Sequence, residues 1–294
     1  MHDAVLTVST LRTFLLTGIA MLAFAANSLL CRIALAQQRI DSASFGALRL
    51  AAGALALVVI VRLRRGAGDP APRADWLAAV MLFTYVAFFS FAYVSLPAGT
   101  GALVLFSAVQ LTMLGSGLRA GERFTPLAWG GLAAAVTGLV YLVSPGVAAP
   151  APLGAISMAL AGAAWGVYSL RGRGVGVGDP LAATASNFAR AVPFAAALSV
   201  VTLGWAHADG VGVGLALASG ALTSGMGYVV WYAALRSLSA MRAATVQLSV
   251  PPLAAIGGVL ALAEPLTGRL VLASVAVLGG IAVVLATRVS RVST

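Results

Sequence analysis

The chain is short of charge, and of acid in particular. Only eight of its 294 residues are Asp or Glu, two are His and one is Cys, and every one of its 18 basic residues is arginine. The lone Cys31 excludes an internal disulfide and a cysteine metal cluster. All eight acids and both histidines fall in connections or at the ends of apolar runs. A protease working inside a membrane needs a buried Asp pair, a Ser with a His, or metal ligands, and no such set is present, so neither an enzyme nor a metal or other cofactor is expected. Proton and sodium coupling usually employ an embedded carboxylate or histidine, and none lies in the body of an apolar run.

What the chain has in abundance is apolar side chains, 61% against 9% charged. That balance makes the bilayer its solvent and predicts an all-α polytopic membrane protein. Ten apolar runs are each close to the ~20 residues a helix needs to cross the hydrocarbon core. They cover 14–35, 43–61, 76–96, 100–118 and 126–143, then 153–170, 181–203, 211–235, 243–263 and 268–287. The connections are short and leave no room for a soluble catalytic domain. The first run is read as a span and not as a cleaved signal peptide, because Leu30 before Cys31 is wrong for lipoprotein cleavage and a loss of this span would leave nine.

A net charge of +10 would suggest nucleic acid in a soluble protein, but here the arginines follow membrane topology, and no nucleic-acid partner is expected. Thirteen of them, from Arg12 through Arg62 and Arg64 to Arg236, Arg242, Arg288 and Arg291, fall on one side of the ten-span arrangement. Arg39 and Arg269 fall on the other. This excess predicts cytoplasmic N and C termini. The absence of lysine together with the abundance of alanine is the composition of a GC-rich bacterial genome, which points to a bacterial inner membrane.

The segment Gly121-Glu122-Arg123-Phe124-Thr125-Pro126 returns as Ala263-Glu264-Pro265-Leu266-Thr267-Gly268, an offset of 142 residues that also carries Gly138 onto Gly280. The chain is therefore read as two copies of one unit, 12–146 and 152–288. Five spans per copy is an odd number, so copies inserted in series face opposite ways. The loop between spans two and three is rich in arginine and its counterpart between seven and eight has none, while the loop between three and four has none and that between eight and nine carries Arg236 and Arg242. Equivalent loops with opposite bias are what an inverted repeat requires.

An Arg inside the second span (Arg49), a Tyr near the end of the third and eighth (Tyr93, Tyr232), and a Gly/Ala-Glu punctuation ahead of a Gly-rich span resemble the drug/metabolite transporter superfamily, in its EamA-type branch of ten-helix permeases. The resemblance covers residues 12–288 and is nearest to the aromatic amino-acid exporters of that branch. It implies two inverted five-helix repeats around a central cavity, and alternating-access export or facilitated diffusion of amino acids or related metabolites. The implied partners are a small-molecule substrate and the lipid bilayer, with a homodimer left open. Two rival functions are efflux of toxic organic cations and a non-transporting scaffold or lipid-handling subunit.

Inverted repeats place a site between the halves near the midplane, so polar and aromatic residues in mid-span are the candidates. Tyr85, Phe89 and Tyr93 share one helical face of the third span, and Ser224, Tyr228 and Tyr232 share the same face of the eighth at an offset of 139. Trp165 and Tyr168 in the sixth span and Asn27 in the first are further candidates, as are Gln110 in the fourth and Gln247 in the ninth. Pro251-Pro252 remove two amide donors from the ninth span and predict a kink that serves as a gating hinge. Arg32 and Arg49 are near enough to the outer surface to snorkel, Arg49 being also a candidate for the substrate site, whereas Arg190 is deeper and is read as a seat for a substrate carboxylate.

Overall fold

The computed structural model describes residues 2–64, 74–146, 148–174, 179–238 and 240–287. Arg65, Arg73, Arg288 and Arg291, used above for topology, and the last residue of the second copy lie outside them. The described chain is helical, and ten spans run through it. In the first half these are α1 (His2–Ala36), α2 (Ser42–Arg64), α3 (Trp76–Tyr93), α4 (Ala98–Arg119) and α5 (Pro126–Val143). The second half has α6 (Pro152–Gly174) and α7 (Pro180–Val201). Its eighth span is made of α8 (Gly210–Ala218), a π-helical stretch Ser219–Met226 and α9 (Gly227–Leu235), and α10 (Ala240–Gln247), α11 (Val250–Leu262) and α12 (Gly268–Thr287) complete it.

Most boundaries follow from local chemistry. Thr125 caps α5 by accepting from the Ala128 amide, and Pro126 at the first helical position gives up a donor that had no partner there. α3 stops at Tyr93 and not at Leu96, because Pro97 disfavours helix in the residue before it. α1 begins well before residue 14: at 35 residues it is about 50 Å long, more than the ~30 Å hydrocarbon core. Nine described segments are long and apolar enough to cross a membrane; α7, of sufficient length but carrying Asn187 and Arg190, is the more polar tenth.

The ninth span is broken, but not at its prolines. The break comes at Leu248 and Ser249, and Pro251 and Pro252 lie in the first turn of α11, where missing amides cost nothing. The carbonyls freed at the break are taken up locally, by Leu248 N on Thr245 O and Ser249 N on Val246 O.

The packing has the two-fold pattern of the repeat. α2 packs on α7, α4 on α11 and α5 on α12, each helix meeting its own counterpart, while α3 packs on α6 and the eighth span packs on α1. The duplicated turns match as well: Gly121 and Ala263 both adopt left-handed backbone, with φ of +82° and +50°. Gly carries that conformation freely and Ala does not. Ala263→Gly is therefore expected to raise stability by about 0.5 kcal/mol and Gly121→Ala to lower it by about 1 kcal/mol, read as shifts of the thermal unfolding midpoint in detergent.

Candidate functional site

Between the halves lies a cavity of about 1900 Å³ that opens at the end of the bundle where Arg12, Arg64, Arg171 and Arg236 sit. Its walls come from both copies. Trp165 on α6 stands at the centre of an aromatic floor, with ring centroids 4.8 Å from Tyr85, 5.3 Å from Tyr168 and 5.6 Å from Tyr228. Phe89 backs Tyr85 at 5.3 Å, and Phe188 meets Tyr228 edge-on at 5.9 Å. One indole thus joins the aromatic face of the first half to that of the second.

Arg49 lies against this floor and is fully packed, with 2% of its surface exposed. Its Nη2 donates to Tyr85 Oη at 2.9 Å and its Nε to Ser224 Oγ at 3.3 Å, while Nη1 is buried with no hydrogen-bond partner. The guanidinium also lies 4.8 Å from the Phe89 centroid and 5.2 Å from that of Tyr85. No described carboxylate forms an ion pair with it. Gly220 allows this geometry, since a Cβ there would collide with the Arg49 carbonyl and push the eighth span off α2.

Beside Arg49 is a polar shelf. Asn27 Oδ1 accepts from Ser219 Oγ at 2.7 Å and from Thr223 Oγ1 at 3.2 Å, and Thr184 shares a 2.9 Å hydrogen bond with Tyr232. At the mouth, Asp75 caps α3 through the Ala78 amide and pairs with Arg171 at 3.0 Å. Burial there raises its carboxyl, but the bonds from Arg171 and Ala78 outweigh it and hold Asp75 below the ordinary carboxylate value. Asp179, the other acid on the cavity wall, caps α7 through Leu181 N.

Of the residues singled out from sequence, Asn27, Arg49, Tyr85, Phe89, Trp165 and Tyr168 line the cavity, together with Tyr228 and Gln247. Gln110 does not: it is buried on α4 and faces a separate, smaller cavity that it shares with Glu122. Arg190 is also placed elsewhere. A helical side chain leans toward the helix N-terminus, so Arg190 reaches down along α7, donates to the Ser186 carbonyl and hydroxyl, and lies 5.7 Å from the ring of Trp76 at the start of α3. Thr184 and Asn187 line the cavity from α7 in its stead. Their signal in the sequence is the polarity of that span, to which Asn187 contributes beside Arg190.

The opposite end of the bundle is closed. Arg32 does not snorkel; its Nε pairs with Glu264 at 2.8 Å and its Nη1 donates to the Tyr93 and Val94 carbonyls at 3.0 Å each. The second Glu264 oxygen accepts from Ala98 N at 2.7 Å, supplying the cap that α4 lacks from its own sequence. Nearby, Asp41 N donates to the His207 carbonyl, Asp209 N donates to that of Arg39, and Arg39 pairs with Asp209 at 3.1 Å. Burial pushes the Asp41 carboxyl up, but the bonds from Ser44 and the His207 amide prevail and leave it below its usual value.

Two inverted five-helix copies enclosing a one-sided cavity, with a latch at the far end, define a membrane transporter class of fold. The model of the EamA-like transporter family matches residues 11–144 and again 152–286, and the chain belongs to that family. A Pseudomonas aeruginosa protein, Uncharacterized protein PA1977, is 56% identical over 280 residues, which is 95% of this chain and 96% of that one. A protein of known crystal structure at 22% identity superposes with a TM-score of 0.62 over 90% of this chain and 95% of its own, a likeness of fold.

Proposed function

We propose that the protein is an inner-membrane permease that works by alternating access, exporting large neutral or aromatic amino acids and related small metabolites or letting them equilibrate. The observation that carries this reading is the aromatic floor of Tyr85, Trp165 and Tyr228, built from both copies inside a cavity whose charged lining gathers at one end. A ligand on that floor touches both halves, so its binding energy bears on how they sit against each other. The arginine-rich mouth is the cytoplasmic one, with both termini on that side, and the break ahead of Pro251 and Pro252 is the hinge of the ninth span.

A facilitator is the simplest energetic scheme, because the acids on the cavity wall, Asp75 and Asp179, are engaged as helix caps at the mouth. A guanidinium against the floor disfavours organic-cation efflux. The test is counterflow of labelled metabolites in proteoliposomes with the membrane potential clamped. Large neutral and aromatic amino acids should exchange and Trp165→Ala should slow them about tenfold or more; accumulation against a concentration gradient under an imposed pH or sodium gradient would overturn the facilitator scheme. Absence of any metabolite flux would leave the scaffold reading.

A further inference from the structure

We propose that the Tyr85 and Ser224 hydroxyls, held by Arg49, form a seat for a carboxylate, and that the preferred cargo carries a net negative charge. This rests on the permease reading and moves its preferred cargo from the zwitterionic amino acids to anionic acids among the related metabolites.

The hydrogen bonds determine how the seat presents itself. Arg49 has only donors, so Tyr85 Oη and Ser224 Oγ both act as acceptors toward it. Each hydroxyl keeps its own proton for another partner, and no described protein acceptor takes either. Both residues line the cavity. Two O–H donors thus converge on cavity space with a cation directly behind them, and a carboxylate has two oxygens to receive them. Charge-assisted bonds of this kind are roughly twice as strong as neutral ones.

The charge count points the same way. Arg49 is a buried cation facing aromatic rings, with Nη1 unpartnered, and a monoanion neutralises it whereas a zwitterion leaves a positive charge over. An ammonium group would find aromatic faces but no carboxylate beside the seat, since Asp75 and Asp179 both cap helices at the mouth. Asn27 Oδ1 is already taken by two hydroxyls. Asp75 caps α3 ten residues before Tyr85, about 15 Å away along the helix, and is held by Arg171. The seat also spans the repeat, since Tyr85 and Ser224 occupy equivalent positions in the two copies. A carboxylate bound there ties one half to the other through Arg49.

The probes are three molecules with one aromatic body: 3-phenylpropionate, phenylalanine and phenethylamine, carrying an anion, a zwitterion and a cation. Calorimetry on the purified protein should rank them in that order, the amine weakest by about tenfold or more. Tyr85→Phe and Ser224→Ala each remove one O–H and little volume. Each should weaken 3-phenylpropionate about tenfold and leave phenethylamine unchanged, with the unfolding midpoint showing that the variants are folded. The seat is overturned if the amine binds as tightly as the acid, if phenylalanine binds most tightly, or if neither substitution changes the ranking. Counterflow with the same three compounds separates this from the permease reading. Flux led by the amine refutes the seat and leaves a permease; binding in the expected order without any flux refutes the permease and leaves the seat; neither binding nor flux removes both.

Discussion

Glu264→Gln is expected to reduce net transport at least tenfold by releasing the closed end of the bundle. The carboxylate makes an ion pair with Arg32 and caps α4 at Ala98, and both side chains of the pair are mostly packed, with 17% and 12% exposed. Gln keeps the shape and one acceptor but leaves the Arg32 charge without a counter-ion. Removing one partner of a largely buried pair costs about 2 kcal/mol or more, and a two-state equilibrium moved by that amount changes about thirtyfold. The bonds lost tie α1 and α4 to the Glu264 turn at this end, so the population is expected to move toward opening there. Cys31, fully buried one residue before Arg32, reports on it. Its reaction with a small methanethiosulfonate should speed up about tenfold in Glu264→Gln. A thiol as inert as in the parent, with unchanged flux, would remove Glu264 from the closure.

A second large effect belongs to the periphery. α5 and α12 cross through glycines: a Cβ on Gly131 would lie 2.6 Å from the Gly280 carbonyl oxygen, and one on Gly280 would lie 2.8 Å from Ala135 N. Their neighbours Gly130 and Gly279 have nothing within 4 Å of such a Cβ. Gly280→Leu must push two backbones apart and is expected to cost about 3 kcal/mol or more. Gly279→Leu, one residue away, should stay within about 0.5 kcal/mol. The measurement is the yield of monodisperse protein and its unfolding temperature. Equal behaviour of the two variants would mean that this helix pair is not held by backbone contact.

These glycines show what the sequence could and could not convey. Apolar length located all ten spans, and α5 and α12 fall on the predicted residues 126–143 and 268–287. The face each span turns inward was harder to read. In a bilayer the outward side is as apolar as the packed one, so the alternation that marks a buried face in a soluble helix is largely absent. Gly130 and Gly131 are therefore indistinguishable in the sequence. Tyr85, Trp165 and Tyr228 were legible because aromatic residues with polar edges at that depth need particular company. The directions of the arginines were not, because depth along a span says nothing of direction around it, and Arg49 is open to both a snorkelling and a cavity reading. Arg190 turns to Trp76, Arg32 finds an acid 232 residues away, and Arg49 turns inward. The prolines of the ninth span marked a discontinuity correctly, but which turn would open depended on where the freed carbonyls found donors.

The π-helical stretch Ser219–Met226 makes the two copies unequal, since α3, at the equivalent place, is a regular helix. A π turn holds an extra residue, and in an α-helix each residue advances about 100° around the axis. The stretch therefore sets the angular phase between the halves of its span: at its start Ser219 faces Asn27, and beyond its end Tyr228 faces Trp165. Deleting one residue within 219–226 would let a continuous α-helix form with the two halves still in phase, because the π turn is what absorbs the extra residue, whereas a deletion within α8 or α9 would rotate one half against the other by about 100°. The same side chains would then look out at different neighbours. The π stretch is thus the one place in this span where chain length can change by a residue without turning the wall, and a relative one residue shorter here would keep its aromatic residues facing the cargo.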